Sequence, residues 1–385
     1  MKPLILDVET TISSKGNPFD TRNKLCLVGL SDGTHYWCFD IEHSKRESYQ
    51  KELARVRDII SNYDTLVGFN IKFDLHWLRR YGIDFTKHTV WDSQLADFVL
   101  NGQSSPYPSL DGVADRFGLG HKLDIVSSEF WNKGIDTPEI PYEILEDYLK
   151  QDLKLTWDVF QKQKELVATN PKQQILLNLS FQDLLVLQEM EWNGMKYDLE
   201  KSKALGTEVL TRIRDIDSEL ARFVGDIPVN FNSNDHLSAL LYGGTIFVDM
   251  REAYEFKYKD GRTKIKERTV RKEFKRERLV IPIPGTELAK EGYWSTAEEV
   301  LLQLRPKGEE KKLIKLILER SLLDTKVSRY YHGIPKKYEE KGWQGSIIHG
   351  QLNQVVARTG RLSSSDPNMQ NMDGIAKQCF ISRFN

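Results

Sequence analysis

The chain opens with an apolar run that stops at two acidic residues, and no other feature constrains its fold as strongly. Three apolar residues, positions 4–6, precede Asp7 and Glu9, as in a buried strand whose end carries acids. Side chains alternate across a strand, so Asp7 and Glu9 leave the backbone on the same face. Two neighbouring carboxylates repel each other, and a divalent cation commonly compensates them. The alternative is a solvated strand end.

Composition indicates a globular protein with more than one domain. A chain of 385 residues exceeds one ordinary core, so we expect two or three domains. The content of 39% hydrophobic and 29% charged residues is typical of a soluble protein. The apolar runs are shorter than a membrane span, and Asp7 interrupts the first of them, which argues against a signal peptide. Cys26, Cys38 and Cys379 lack C-x-x-C spacing, which favours a reducing cytoplasm over a zinc site.

The charge is distributed unevenly along the chain. Residues 1–169 carry 20 basic and 26 acidic residues, whereas the remainder carries 35 and 30. An acidic first part suits metal binding, and a basic remainder suits a polyanion.

Residues 1–169 have the pattern of an α/β domain. Apolar segments at 24–30 and 34–39 flank Asp32-Gly33, a hairpin turn signal. Helical spacing follows at 48–61, and a short buried strand follows at 64–68. We therefore expect a mixed sheet with helices packed against it.

Further acids lie at informative places in this domain. Asp74 lies near the start of a helix, where the helix dipole alone would favour an acid. Asp92 precedes a helix at 93–100, and helix capping is the role we expect for it. Tyr148 and Asp152 are four residues apart, so they lie on one helical face. The alternative for this last pair is a half-buried tyrosine beside a solvent-facing acid.

Taken together, these motifs resemble the tyrosine subclass of the DEDD exonucleases. The matching residues are Asp7-x-Glu9-Thr10, Asn70-x-x-x-Asp74 and Tyr148-x-x-x-Asp152. The resemblance implies an RNase H-like 3′-5′ exonuclease domain over residues 1–169, with two Mg²⁺ or Mn²⁺ ions held by the four acids. It implies that Asp7 is the shared ligand and that Tyr148 orients the attacking water. It also implies that Thr10 and Asn70 contact the nucleic acid.

Residues 170–345 have the pattern of a mainly helical domain. Asn170-Pro171 marks its beginning, and helical spacing covers 173–193, 199–223 and 311–331. Thr296-Ala-Glu-Glu predicts a capping box at the start of another helix. The segments 190–198 and 231–241 resemble those that follow the exonuclease in family A DNA polymerases, which implies a thumb domain.

A basic insertion near residues 245–285 interrupts these helices. Residues 251–278 contain twelve basic and six acidic residues, with Tyr254, Phe256, Tyr258 and Phe274 among them. We expect a β-hairpin with a turn at Asp260-Gly261. Three roles stay open for it: an arm on the DNA backbone, a solvated surface hairpin, or a docking surface for another protein.

Residues 346–385 contain the motif with the strongest resemblance. The run Thr359-Gly-Arg-Leu-Ser-Ser-Ser-Asp-Pro-Asn-Met-Gln-Asn371 resembles the signature of family A DNA polymerases at the beginning of the palm. Hydroxyl, amide and guanidinium donors suit the minor groove, where base pairs present similar acceptors. The resemblance implies primer-template contacts by five residues: Arg361, Ser363, Asn368, Gln370 and Asn371. The alternative is a polar loop, and Met372-Asp373 departs from the family's usual Ile-Pro.

The resemblance ends before the palm's aspartate motif. We therefore expect the exonuclease and thumb part of a phage-type family A polymerase, with palm and fingers on a second polypeptide, acting on DNA in the host cytoplasm. Apolar surface near residues 375–384 would be the association site. Two alternatives stay open: a stand-alone DEDD exoribonuclease, and a catalytically silent DNA-clamping subunit.

Overall fold

A five-stranded mixed sheet forms the centre of the first part of the chain. The computed structural model describes residues 2–44, 49–258, 262–372 and 374–383. The strands of the sheet are β1 Pro3–Thr10, β2 Leu25–Ser31, β3 Tyr36–Asp40, β4 Thr65–Gly68 and β5 Thr89–Asp92. Strand β1 lies in the middle of the order β3-β2-β1-β4-β5, antiparallel to β2 and parallel to β4. Its residues Leu4, Ile5 and Leu6 are fully buried.

Helices cover this sheet, as the alternating pattern predicts. The hairpin predicted around Asp32 and Gly33 is confirmed, because β2 and β3 pair in antiparallel register. The long helix α6 approaches β2 so closely that a Cβ on Gly29 would lie 2.7 Å from the Leu153 side chain. The helices are α1 Gln50–Ile60, α2 Ile71–Arg80, α3 Ser93–Leu100, α4 Leu110–Phe117, α5 Ile125–Glu129, α6 Tyr142–Ala168 and α7 Pro171–Asn193.

The chain forms two compact units that do not follow chain order. The first unit consists of residues 1–199 and 334–385, and the second consists of residues 200–333. The sequence-domain boundaries at 169 and 345 stay predictions. In the first unit, β6 Met195–Lys196 pairs with β9 Ile347–Ile348, and β10 Gln351–Asn353 pairs with β11 Ser363–Ser365.

The second unit combines helices with one long β-hairpin. Its core contains buried side chains from the helices, among them Ile216, Leu220, Leu240 and Ile317. Strand β7 Gly244–Lys257 pairs with β8 Thr263–Arg276, and the predicted turn at Asp260-Gly261 lies outside the described residues. The helices are α8 Leu199–Val224, which begins at the boundary, α9 Asn234–Tyr242, α10 Glu298–Gln303 and α11 Gly308–Lys326; α12 Gly333–Glu340 leads back to the first unit.

The predicted capping box before α10 is wrong. Helix α10 begins at Glu298 with Ala297 as its N-cap residue. The Thr296 hydroxyl instead donates to Oδ1 of Asn234 at 3.4 Å, so a contact between segments distant in sequence replaces the local cap. None of the helices in the described part of the chain has the length and apolar character of a membrane span.

Candidate exonuclease site

Four acidic side chains converge where β1 extends past the end of β4. Strand β4 pairs with β1 only as far as Ile5, so the following residues of β1 are open on that side. Gly68, the last residue of β4, has no Cβ, and one built there would lie 3.2 Å from the Leu6 carbonyl oxygen and closer still to Ile71. The chain can therefore turn at once into α2, which carries Asp74.

A hydrogen bond fixes Asp74 against the first strand. The Val8 N–H donates to Oδ1 of Asp74 at 3.1 Å, which places this carboxylate between Asp7 and Glu9 along the strand. Asp152 reaches the same region from α6. Glu9, Asp74 and Asp152 are buried, and Asp7 is half-buried. The alternative of a solvent-facing Asp152 is therefore wrong.

The acids in this cluster disfavour one another's charge. Burial and the nearby Asp152 carboxylate raise the pKa of Asp7 to about 7. Burial, together with the charges on Asp7 and Asp152, raises the pKa of Glu9 well above its ordinary value. Burial and the charge on Asp7 likewise raise the pKa of Asp74. Positive charge placed near these carboxylates would therefore stabilise their ionised forms.

Lys122 supplies part of that positive charge and was missed from the sequence. Its ammonium forms an ion pair with Asp152 and donates to the Tyr148 hydroxyl at 3.0 Å. Burial opposes protonation of Lys122, but the negative charge on Asp152 outweighs this and raises the pKa of the lysine. The backbone N–H of Lys122 donates to Oδ1 of Asp111 at 2.6 Å, which anchors the loop that carries the lysine. The sequence offers no motif that points to Lys122.

Tyr148 is buried beside the acids with its hydroxyl towards Lys122. Burial and the charge on Glu9 raise the pKa of this phenol above its ordinary value. The hydroxyl is therefore neutral at pH 7 and can donate one hydrogen bond. The Trp131 ring packs edge-on against Tyr148 with 5.7 Å between ring centroids, which restricts the tyrosine ring.

The donor set fits a divalent cation in kind and in charge. Hard oxygen ligands are what Mg²⁺ and Mn²⁺ prefer, and Oδ1 of Asp152 is buried without a hydrogen-bond partner among the described residues. As the side chains stand, no group of three or more His, Cys, Asp or Glu in the described part of the chain is arranged to hold a metal ion. The ion pair between Lys122 and Asp152 is one physical reason, because the ammonium takes one oxygen of that carboxylate.

Asp92 has the structural role expected for it. Its Oδ1 accepts from the N–H groups of Gln94 at 2.9 Å and Leu95 at 3.2 Å, which caps α3. The same oxygen accepts from the Asn70 N–H at 3.1 Å and so links the starts of α2 and α3. Capping is confirmed, and Asp92 holds the loop from which Asn70 projects.

The two residues expected to contact nucleic acid near the acids lie in different surroundings. Thr10 is buried at the end of β1, and its carbonyl oxygen accepts from the Thr137 hydroxyl at 2.6 Å. Asn70 is exposed in the left-handed region, with φ of 64°, directly before α2. A cavity of about 510 Å³ opens beside it; the lining includes Asn70, Lys72, Phe73, Gln94, Tyr107, Gln351 and Gln354. Asn70 is thus accessible to a ligand, and Thr10 shapes the strand end.

The run 359–371 consists of a turn at 359–362, strand β11 and the loop after it. Arg361, Gln370 and Asn371 are exposed, and Ser363 is half-buried in β11. Asn368 is exposed as well, but its Oδ1 accepts from the N–H groups of Gln370 and Asn371 at 3.0 and 3.3 Å. The Asn368 carbonyl therefore holds the loop, and its amide nitrogen is the group left to face a ligand.

A second residue whose role was missed from the sequence is Glu191 on α7. This buried carboxylate accepts from the Lys72 ammonium at 2.6 Å, from Nε2 of His76 at 2.7 Å and from the Leu352 N–H at 2.6 Å. Lys72 and His76 flank Asp74 on α2. Glu191 thus connects the helix that bears a site acid to strand β10.

Two family models together match most of the chain. The family described as 3′-5′ exonuclease matches residues 1–168, and DNA polymerase family A matches residues 199–382. Between them they leave only residues 169–198 and 383–385 unmatched.

Several curated DNA polymerases resemble most of the chain. DNA polymerase I of Bacillus subtilis (strain 168) is 25% identical over 297 residues, which are 77% of this chain and 28% of that protein. The DNA polymerase of Bacillus phage SP01 is 21% identical over 387 residues, 92% of this chain and 39% of that protein. Thermostable DNA polymerase I of Thermus thermophilus is 26% identical over 328 residues, which are 84% of this chain and 31% of that protein. The chain thus spans between 28% and 39% of these relatives.

A solved structure has the same fold over almost the whole chain. It is the POL domain of Pol1 from M. smegmatis in complex with DNA primer-template and dNTP, with a TM-score of 0.67 at 15% identity. The match covers 98% of this chain and 53% of that one.

Proposed function

We propose that this chain, which joins a 3′-5′ exonuclease domain to part of a family A DNA polymerase domain, removes nucleotides from DNA 3′ ends and proofreads during replication. The observation that carries the proposal is the convergence of Asp7, Glu9, Asp74 and Asp152 from three elements. Burial raises the pKa of all four, and the charges of other acids in the cluster raise the pKa values of Asp7, Glu9 and Asp74 further. Buried carboxylates that raise one another's pKa in this way are typical of functional sites.

The roles of the acids follow from the resemblance to DEDD exonucleases. Asp7, from the middle strand, would hold both divalent cations; Glu9 and Asp152 would complete the site of the first, and Asp74 would support the second, partly through water. When bound, such ions activate water and stabilise the leaving oxygen of a phosphodiester. Mg²⁺ and Mn²⁺ are the ions we propose, because every donor is a hard oxygen.

Tyr148 would position the attacking water. Its neutral hydroxyl can donate to or accept from a water molecule, and its raised pKa excludes a phenolate at pH 7. Lys122 holds the hydroxyl and Asp152 together at the same place.

The nucleic acid would contact two groups of residues. Asn70 beside its cavity, with Thr10 at the strand end, would receive the single-stranded 3′ end. Arg361, Ser363, Asn368, Gln370 and Asn371 would contact the primer-template duplex, where exposed donors suit the minor groove.

DNA synthesis is an activity of whole polymerases, and this chain spans only 28% to 39% of the length of the polymerases it resembles. The expected second polypeptide with palm and fingers, the phage type and the host cytoplasm stay predictions. In the association surface expected for that partner, Ile375 and Ile381 are exposed, and Phe384 lies outside the described residues.

The test is digestion of a single-stranded DNA with a 3′ label in the presence of Mg²⁺. We expect Asp7→Ala to lower the rate by about 10³-fold or more, because loss of a shared metal ligand removes several kcal/mol of transition-state stabilisation. The matched control is Asp84→Ala, an exposed acid of the same domain, which should digest at the wild-type rate.

Three outcomes would contradict the proposal. Digestion by Asp7→Ala as fast as by wild type would show that the site is assigned to the wrong residues. Faster digestion of RNA than of DNA of equal length would favour the exoribonuclease alternative. Undetectable Mn²⁺ binding by calorimetry, with no digestion by wild type, would favour the silent DNA-clamping subunit.

A further inference from the structure

The β-hairpin of the second unit extends well past the core on which its base packs. Strands β7 and β8 pair along their whole length, from Gly244 opposite Arg276 to Lys257 opposite Thr263. At about 3.3 Å per residue, strands of 14 residues each are roughly 45 Å long. Ile246, Val248 and Phe274 pack on the core of the unit. The outer part, residues 249–257 paired with 263–271, is a two-stranded ribbon with two accessible faces.

The two faces of this outer part differ in charge. Alternation and register assign each residue to a face. We call one the aromatic face; it consists of Met250, Glu252, Tyr254 and Phe256 with Lys264, Lys266, Arg268 and Val270, and it carries three cations and one acid. The opposite face has Asp249, Arg251, Ala253, Glu255 and Lys257 with Thr263, Ile265, Glu267, Thr269 and Arg271, and it carries three cations and three acids. The net charges are +2 and 0.

Aromatic rings contact two of the three cations of the aromatic face, Lys266 and Arg268. The Lys266 ammonium lies 3.6 Å from the centroid of the Phe256 ring, and the Arg268 guanidinium lies 5.5 Å from that of Tyr254. Tyr258 packs edge-on against Phe256 at 5.1 Å. The rings are thus covered by cations, and a cation over a ring keeps its full charge towards solvent.

The lysines at the far end of the aromatic face have no acidic partner among residues 249–258 and 262–271. Within the described residues, neither Lys264 nor Lys266 has an acidic side chain at ion-pair distance. The acid of this face, Glu252, lies nearer the base and pairs with Lys272 at 2.9 Å and Arg268 at 3.8 Å. On the opposite face, Arg251 pairs with Glu267 at 3.7 Å.

We propose that the aromatic face binds the sugar-phosphate backbone of duplex DNA, an additional DNA contact that rests on the proposed function. Lys264, Lys266 and Arg268 occupy alternate positions on one strand, so their attachment points are about 7 Å apart in a row that can follow a phosphate chain. Single-stranded DNA is bound largely by stacking of bases on open aromatic rings. Here cations cover those rings, which favours the duplex backbone as the ligand.

The test compares two triple variants of the full chain. Lys264→Ala/Lys266→Ala/Arg268→Ala removes the cations of the aromatic face, and Arg251→Ala/Lys257→Ala/Arg271→Ala removes the same number from the opposite face. Both variants lose three positive charges at half-buried or exposed positions. The probe is a short duplex with phosphorothioate 3′ ends, and binding is measured by fluorescence anisotropy over a range of salt concentrations.

We expect the aromatic-face variant to reduce the slope of log affinity against log salt by about 3, roughly one for each lost phosphate contact. The opposite-face variant should change the slope by less than about 1, since its cations are balanced by acids on the same face. Thermal melting of both variants should stay near that of wild type.

Other outcomes overturn the proposal. Equal changes in both variants would show that net charge alone matters, and no change in either would show that the hairpin does not contact DNA, leaving a docking surface for a protein. A larger loss for a single-stranded probe than for the duplex would reject the duplex as ligand. Digestion of a short single strand should be unaffected by the aromatic-face variant and abolished by Asp7→Ala, so failure here is distinct from failure of the nuclease assignment.

Discussion

Two carboxylates in the first unit, those of Glu191 and Asp74, are similarly buried but have pKa values shifted in opposite directions. Glu191 is 3% exposed and Asp74 is 2% exposed. Burial alone would raise the pKa of Glu191, but hydrogen bonds from His76 and the charge on Lys72 lower it. Burial and the charge on Asp7 raise the pKa of Asp74. The Glu191 carboxylate accepts hydrogen bonds from several donors, whereas Asp74 lies in a cluster of acids with too few donors and cations.

This difference separates a carboxylate that stabilises the fold from a cluster of acids that we propose binds cations. A buried acid with full hydrogen bonding stabilises its charged form, whereas a cluster of acids short of cations costs free energy until a cation binds. Glu191 receives donors from α2 and β10. We infer that Glu191 holds α2, and therefore Asp74, in position, while the acid cluster supplies the chemistry.

The largest expected effect is a loss of stability when Glu191, the carboxylate with several donors, is removed. Glu191→Ala removes the carboxylate that pairs with the half-buried Lys72 ammonium and leaves the Leu352 N–H without its acceptor. We expect it to lower the free energy of unfolding by about 3–5 kcal/mol. Denaturant unfolding followed by tryptophan fluorescence measures this. The control is Glu189→Ala on the same helix, whose carboxylate is half exposed and pairs with Arg79; we expect a cost below about 1 kcal/mol. Equal costs for the two variants would break the comparison.

The next effect is the pH dependence of that difference. The folded-state pKa of Glu191 is lowered, so its contribution to stability is present above the unfolded-state value of about 4.3 and is lost as the pH falls through the folded-state value. We expect the stability difference between wild type and Glu191→Gln to be constant near pH 7 and to shrink below about pH 4.3. A difference that grew on acidification would mean that Glu191 is protonated in the folded protein.

Strands and helices of the first domain could be predicted from local signals. Alternation and apolar runs identified β1 to β4, the Asp-Gly pair identified the first hairpin, and spacing placed Tyr148 and Asp152 on one helical face. Each of these signals depends on neighbouring residues in the chain. The resemblance added the grouping of the four acids, which are 145 residues apart at most in sequence and meet in the fold.

Residues whose role depends on distant partners escaped prediction. From the sequence, Glu191 is an ordinary residue near the end of a helix. In the structure its carboxylate accepts hydrogen bonds from Lys72 and Leu352, which are 119 and 161 positions away. Lys122 lies in a loop without a motif and meets Tyr148 at 3.0 Å only because α6 passes beside that loop. Thr296 failed as a cap because Asn234, from another helix, provides its partner. Tertiary contacts decided all three.

The smallest expected effect concerns the affinity of the acid cluster for a metal ion. Lys122 is the cation that pairs with Asp152, and it competes with any metal ion for that carboxylate. We expect Lys122→Met to strengthen Mn²⁺ binding by about tenfold, close to 1.4 kcal/mol, in a calorimetric titration. The control is Lys133→Met, which removes the same charge from an exposed surface pair with Glu129 and should leave Mn²⁺ affinity unchanged. Weaker binding in Lys122→Met would instead mean that the ammonium orients Asp152 and Tyr148 for the ion, and the cluster would then be closer to saturated than its raised pKa values indicate.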